Sequence, residues 1–329
     1  MRIGLAVGEI RGVTTVNAVV EQVRAAAEAG FPTAWSSQAL GIDALTSVAV
    51  AGAAVPGIEM GTAVIPVPQR HPLVLASQAL TVQSAVSGRL TLGIGAGIGA
   101  MITGMYGMAA DRPAARMREY LGLLNPLLQG HPVNHRGFIT AAGAVSVSGV
   151  KAPSVLLAAL GPSMLQAAGE LTDGTVTWMT GPRTLATHIV PTIAKAATDA
   201  GRTRPRIVAG LPVWATDDVD AARSIIGERF GVAAQVPEYR RTLAREGLTG
   251  PAGVAIVGDA AALERGIDQL RDAGVTDFMA VPCGNDDDQR RTIDALSELA
   301  RAALDRTART AVHTMRTAVA DAGLTPGAG

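Results

Sequence analysis

The chain has a single cysteine, Cys283, in 329 residues. That excludes an internal disulfide framework and any zinc cluster built on cysteine. It has no excess of either charge, since 28 Lys and Arg balance 28 Asp and Glu. The balance argues against a surface that tracks nucleic acid or adheres to anionic lipid. Long hydrophobic runs are missing too. Segment 153–169 is apolar, yet it holds Pro153, Gly161, Pro162, Ser163 and Gln166, which marks it as core rather than a membrane span. No basic stretch, apolar core and cleavage site follow Met1. The expectation is a cytoplasmic protein acting on a small molecule, with neither nucleic acid nor membrane as partner. Metal ligands are sparse. His131 and His135 have helical spacing, but Pro132 and Gly137 break that helix, and His188 and His313 lie in predicted helices without a partner. No metal site is expected.

What the chain does have is apolar residues, 48% of the total, arranged in alternation. Short β-type runs fall at Ile3–Val7, Thr33–Ser36, Ile58–Ile65, Leu90–Ile94, Val155–Leu160, Thr175–Met179, Ile207–Val213 and Asp277–Val281, with helical patterns between most of them. Near-continuous apolar strands are those buried on both faces of a parallel sheet. Eight of them and this length predict a single (β/α)8 TIM barrel over residues 1–310, although an open doubly wound sheet alternates in the same way. Two segments interrupt the alternation: 130–150, read as a small hairpin insertion around Asn134-His135-Arg136-Gly137-Phe138, and 231–257, with a polar helix over Pro237–Glu246. Residues 311–329 read as the end of a helix and a frayed tail.

The stretch Ile58–Gly99 carries most of the chemistry. It reads as strand, irregular loop, Arg70-His71-Pro72 at a helix start, a Ser87-Gly88-Arg89 turn, a strand, and then the glycine-rich Gly95-Ala96-Gly97. A glycine-rich loop directly after a buried strand lets backbone N–H groups approach an anion closely. Two neighbouring strand ends of this kind suggest a phosphate-bearing cofactor at the carboxyl face of the barrel. Arg70 and His71 read as scaffold for that loop.

These blocks, with 27–35 (Ala-Glu-Ala-Gly-Phe-Pro-Thr-Ala-Trp), Gly61-Thr62-Ala63-Val64, and Leu160-Gly161-Pro162 followed by Ala168-Gly169-Glu170 and Asp173-Gly174, resemble the luciferase-like flavin and deazaflavin oxidoreductases. The branch resembled is the one that uses coenzyme F420. The resemblance implies a non-prolyl cis bond at Ala63–Val64 supporting the cofactor ring. It also implies backbone contacts to the cofactor's phosphate or tail from Gly95, Ala96 and Gly97 and from Gly161, Pro162 and Ser163. Pro162 suits the first turn of a helix and leaves the following amides free. A homodimer is implied as well.

Two departures shape the activity. The slot where sugar-phosphate dehydrogenases of this kind carry a catalytic His holds Gln38, and the Glu that follows their glycine loop is replaced by Ile98. Glutamine has no titratable proton in the neutral range and cannot serve as a general base. A reductase passing a hydride between the deazaflavin C5 and a small organic substrate is therefore expected, with Gln38 and Glu9 as the catalytic candidates and Ser36 and Ser37 nearby. The alternatives are an FMN-dependent monooxygenase and a non-catalytic F420-binding protein. Ile98, Met101, Met105, Tyr106, Trp178 and Met179 read as an apolar mouth suited to a hydrophobic or planar substrate.

Overall fold

The first strand, β1 (Arg2–Val7), sets the plan of the molecule. Side chains alternate along a strand. Here Ile3, Leu5 and Val7 join a large core beneath the helices, whereas Ala6 joins a small cluster inside the sheet. The computed structural model describes residues 1–302, so the reading of 311–329 lies outside the described residues.

The strands that follow are β2 (Thr33–Ser36), β3 (Glu59–Thr62), β4 (Ile65–Pro66), β5 (Leu90–Gly95), β6 (Val133–Arg136), β7 (Thr140–Gly143), β8 (Ser154–Ala158), β9 (Gly174–Trp178), β10 (Arg206–Ala215), β11 (Ile256–Gly258) and β12 (Asp277–Pro282). Eight of them close a parallel ring in the order β1, β2, β3, β5, β8, β9, β10, β12, with β12 returning to β1. This is a (β/α)8 TIM barrel.

Three details depart from the expected strands. The third run, expected to be continuous over Ile58–Ile65, is broken in two, because the Ala63–Val64 peptide is cis and β4 pairs with β5 beyond the break. Met179 does not extend β9. It has φ 53° and is buried in the outer core, so it does not line the mouth. The end of the interrupting segment 231–257 enters a strand, β11, which pairs with Val213–Ala215 of β10 just past the point where β9 leaves that strand. Within 130–150, β6 and β7 form an antiparallel hairpin, tied to the helix Pro113–Leu128 by Ile139 N donating to Glu119 (2.7 Å) and by Phe138 lying under Arg112 and Arg116.

Inside the ring one large side chain is matched by very small ones. Trp35 is fully buried, and a Cβ on Gly61 would fall 2.2 Å from its ring. Below it, at the amino ends of the strands, the barrel is sealed by charge. Arg2 Nη1 donates to Glu59 (2.7 Å), Arg206 Nη1 to Glu59 (2.9 Å), and Arg206 Nη2 and Arg2 Nε both to Asp277 (2.8 Å each). Four residues from four strands thus form one closed ion-pair network, and Thr91 adds a hydrogen bond to Glu59 (2.6 Å).

Candidate functional site

The opposite end of the barrel is built differently. At the carboxyl end of β3 the ladder gives way to the cis step. Ala63 N donates to Ser36 O (2.8 Å) and Gln38 N to Val64 O (3.3 Å), so the bulge is held from β2. On the other side the Thr62 hydroxyl donates to Gly93 O and accepts from Gly93 N, both at 2.8 Å. The approach of β3 to β5 requires the glycine, since a Cβ there would lie 2.0 Å from Thr62 O. Ala63 and Val64 are thereby presented at the mouth. They pack with Ile10, Trp178 and Phe230 as a half-buried apolar platform over the inner cluster, and Trp178 meets Phe230 edge to face at 5.6 Å.

The helices leaving the strand ends differ in how their first amides are satisfied. Unpaired N–H groups at a helix start call for a side-chain cap or another acceptor. Thr15 caps the helix after β1, Asp43 the one after β2 and His71 the one after β4. Asp218 and Asp259 cap those after β10 and β11. After β9, Glu246 reaches across to accept from Thr184 N, and after β12 Asn285 accepts from Asp287 and Asp288. Only the helices Gly99–Tyr106 and Pro162–Leu171, which follow the neighbouring strands β5 and β8, lack any side-chain cap among these. Their starts hold Gly95, Ala96 and Gly97 on one side and Gly161, Pro162 and Ser163 on the other. Gly97 has φ +74°, a conformation that favours glycine, and no atom lies within 4 Å of where a Gly161 side chain would begin. The six residues line one cradle in which all but Pro162 carry a backbone N–H, with the dipoles of two helices behind it. A phosphate-bearing cofactor fits such a cradle.

The polar candidates are placed less simply. The Gln38 side chain is engaged with its own loop, accepting from Ala44 N (2.8 Å) and donating to Ile42 O (3.4 Å). Glu9 accepts from Gly41 N through Oε1 (2.8 Å), while its Oε2 is buried with no hydrogen-bond partner. His71 accepts from Leu73 N through Nδ1 (3.3 Å), which leaves Nε2–H to donate to Thr140 O (3.0 Å). It therefore pins the hairpin as well as capping its helix. Arg70 pairs with Asp43 (2.5 Å) and its carbonyl accepts from Tyr120 (2.9 Å). The Asp43 carboxyl stays below the usual range, since burial pushes it up but bonds from Thr46 and the Arg70 charge outweigh that push. Beside these residues a cavity of about 350 Å³ opens between the loop after β2 and the segment after β4, with Gln38, Pro66, Gln69, Val74 and Tyr106 in its walls. The Gln69 side-chain oxygen, Oε1, is buried there without a partner among the described residues. His135 lies 3.2 Å from Glu119 in the hairpin clasp, and among the described residues no three His, Cys, Asp or Glu side chains gather as a metal site. No helix among them is long and apolar enough to cross a membrane.

One family model, described as luciferase-like monooxygenase, matches residues 3–306. A Mycobacterium tuberculosis protein named as a coenzyme F420-dependent oxidoreductase is 30% identical over 199 residues, covering 56% of this chain and 57% of that protein. That match thus spans little more than half of the relative's length. A 5,10-methylenetetrahydromethanopterin reductase of Methanolobus tindarius is 27% identical over 290 residues, covering 85% of this chain and 87% of the other. Among solved structures, an F420-dependent secondary alcohol dehydrogenase in complex with an F420–acetone adduct has a TM-score of 0.75 at 18% identity, covering 90% of this chain and 97% of that one. At that identity the likeness is one of fold.

Proposed function

The chain belongs to the luciferase-like monooxygenase family, and on that premise we propose that it is a coenzyme F420-dependent oxidoreductase working as a reductase of a small organic substrate. The observation that carries this reading is the pair of uncapped helix starts on adjacent strands, whose free amides suit the cofactor's phosphate-bearing tail. Bound F420 supplies a carbon, C5, that gives or takes a hydride. Everything else falls to the protein. Ala63 and Val64 would support its ring, and Ile10, Trp178 and Phe230 would keep water from the site. Glu9 offers its unpartnered Oε2 as the polar contact for substrate or for a proton-relaying water. Gln38 keeps the loop after β2 in place and offers no base for the oxidation of an alcohol.

The buried, unpaired Cys283 fits a reducing cytoplasm. A homodimer is supported by helices Ala44–Ala54 and Pro72–Ala85, which are apolar on more than their inner faces and leave Val50 and Val74 exposed, with Leu40 and Tyr106 nearby in the same region. Fluorescence titration of the purified protein with oxidised F420 and, separately, with FMN tests the assignment. Micromolar saturation by F420 and none by FMN is expected. Tight FMN binding without F420 binding overturns it in favour of a flavin monooxygenase, and F420 binding with no turnover across a broad substrate panel in favour of a carrier.

A further inference from the structure

The strand order places β12 and β1 diametrically across the ring from β5 and β8. At that far rim the short turn Gly8–Arg11 ends in a half-buried arginine. Arg11 donates from Nε and Nη2 to one neutral oxygen, Gln289 Oε1 (3.0 and 2.8 Å). Gln289 is itself fixed, being 9% exposed and donating to Gly284 O (3.2 Å). Arg2, Arg70, Arg118, Arg202 and Arg206 all hold carboxylates within 4.0 Å, whereas among the described residues Arg11 has none. Among the described residues its Nη1 has no hydrogen-bond partner. Asp286 is the acid that acts on it from farther away, and it is exposed. Burial pulls the Arg11 pKa down to about 10, and Asp286 offsets only part of that. Arginine does not relieve such a cost by losing its proton, but an anion does relieve it.

A second cation stands over the same turn. Arg229 Nη2 donates to Ile10 O (2.7 Å), and its guanidinium carbon lies 5.2 Å from the centre of the Phe230 ring. Burial pushes the Cys283 thiol up to about 11 against the pull of both arginines, which places the two charges at one strand end. Ile10 and Phe230 belong to the platform, so the cationic rim and the apolar mouth are continuous.

We propose that Arg11 and Arg229 seat an anionic group of the substrate, a carboxylate or a phosphate, carried on an apolar or planar body that lies over the platform. This rests on reading the mouth as the cofactor site, with the cofactor's own phosphate held on the opposite side.

The test uses inorganic phosphate and benzoate as probes, with neutral benzamide as control, at constant ionic strength. Millimolar phosphate or benzoate should raise the melting temperature of the wild-type chain by about 2–4 °C, with benzamide having no effect. Arg11→Gln and Arg229→Gln should each abolish the shift, Arg11→Lys should keep part of it, and F420 affinity should change less than threefold in all three. A shift that survives both glutamine variants reveals an adventitious ion only and overturns the proposal. So does phosphate competition with F420 that Arg11→Gln relieves, since the rim would then serve the cofactor. If Arg11→Gln does not fold, Arg229→Gln decides. An anion shift in a protein that binds no F420 sinks the cofactor reading and leaves the rim standing, while F420 binding without an anion shift sinks the rim alone.

Discussion

Asp277 is 3% exposed and receives bonds from Arg2 and Arg206, so its ionisation is a property of the barrel as much as of the side chain. Burial alone pushes its carboxyl up. The guanidiniums of Arg206 and Arg2, with Thr276, pull harder, and the group ends below the usual carboxylate range. Because the folded value is the lower one, the stabilisation is complete above the unfolded pKa of roughly 4 and is lost as pH falls through the folded value. Asp277→Asn should therefore cost about 3 kcal/mol at pH 7 in urea denaturation, by leaving two arginines short of a counter-charge. It should also flatten the decline of stability below pH 4, and an unchanged acid limb in the variant contradicts the account. Such residues were poorly legible in the sequence. Arg11 and Gln289 are 278 positions apart, and nothing local to either announces the other. Gln38 was singled out by position, but only the fold shows its amide turned onto its own loop. Glu9 and the glycines were legible because strand ends are, and the chemistry of such ends depends on backbone.

The helix starts permit a sharper experiment. Gly161 has φ −88° and ψ 157°, and a side chain there meets nothing within 4 Å. Gly161→Asp should cap the helix Pro162–Leu171 and stabilise the chain by roughly a few tenths of a kcal/mol. The same carboxylate would occupy the amides meant for a phosphate and repel it. F420 affinity should fall by about tenfold or more, read by fluorescence titration beside a melting curve. Unchanged affinity means that this start does not hold the cofactor's anion. Elements were the most legible level. All eight barrel strands stood out as short apolar runs, since burial on both faces suppresses polar residues. The break at Ala63–Val64 was implied only by resemblance, because a dipeptide carries no signal of its bond isomer. β11 went unrecognised, since three residues are too few to show a period and its partner, β10, lies more than forty residues away.

At the scale of the whole molecule, the exposed apolar surface over helices Ala44–Ala54 and Pro72–Ala85 predicts association. Sedimentation velocity at micromolar concentration should find a dimer, and Val74→Glu should give a folded monomer with an unaltered melting profile at low concentration. A monomeric wild type removes the dimer from the picture. The two ends of the barrel divide their duties, with charge locking the amino ends of the strands, and open amides, apolar surface and two arginines that hold no carboxylate among the described residues gathered at the carboxyl ends.

β10 is the longest of the described strands, and β11 returns to its last three residues, with Thr216 N donating to Gly258 O (2.9 Å). The span 216–255 therefore leaves the sheet and rejoins it at the same rungs. Within it lie Arg229 and Phe230, and also Glu246, which caps the helix after β9. A loop with both feet planted side by side costs only about 0.6 kcal/mol more each time its length doubles. This span is accordingly a socket into which differently shaped caps can be grafted: diversification can proceed there, changing which molecules gain entry, without disturbing the strands that carry the rest of the machine.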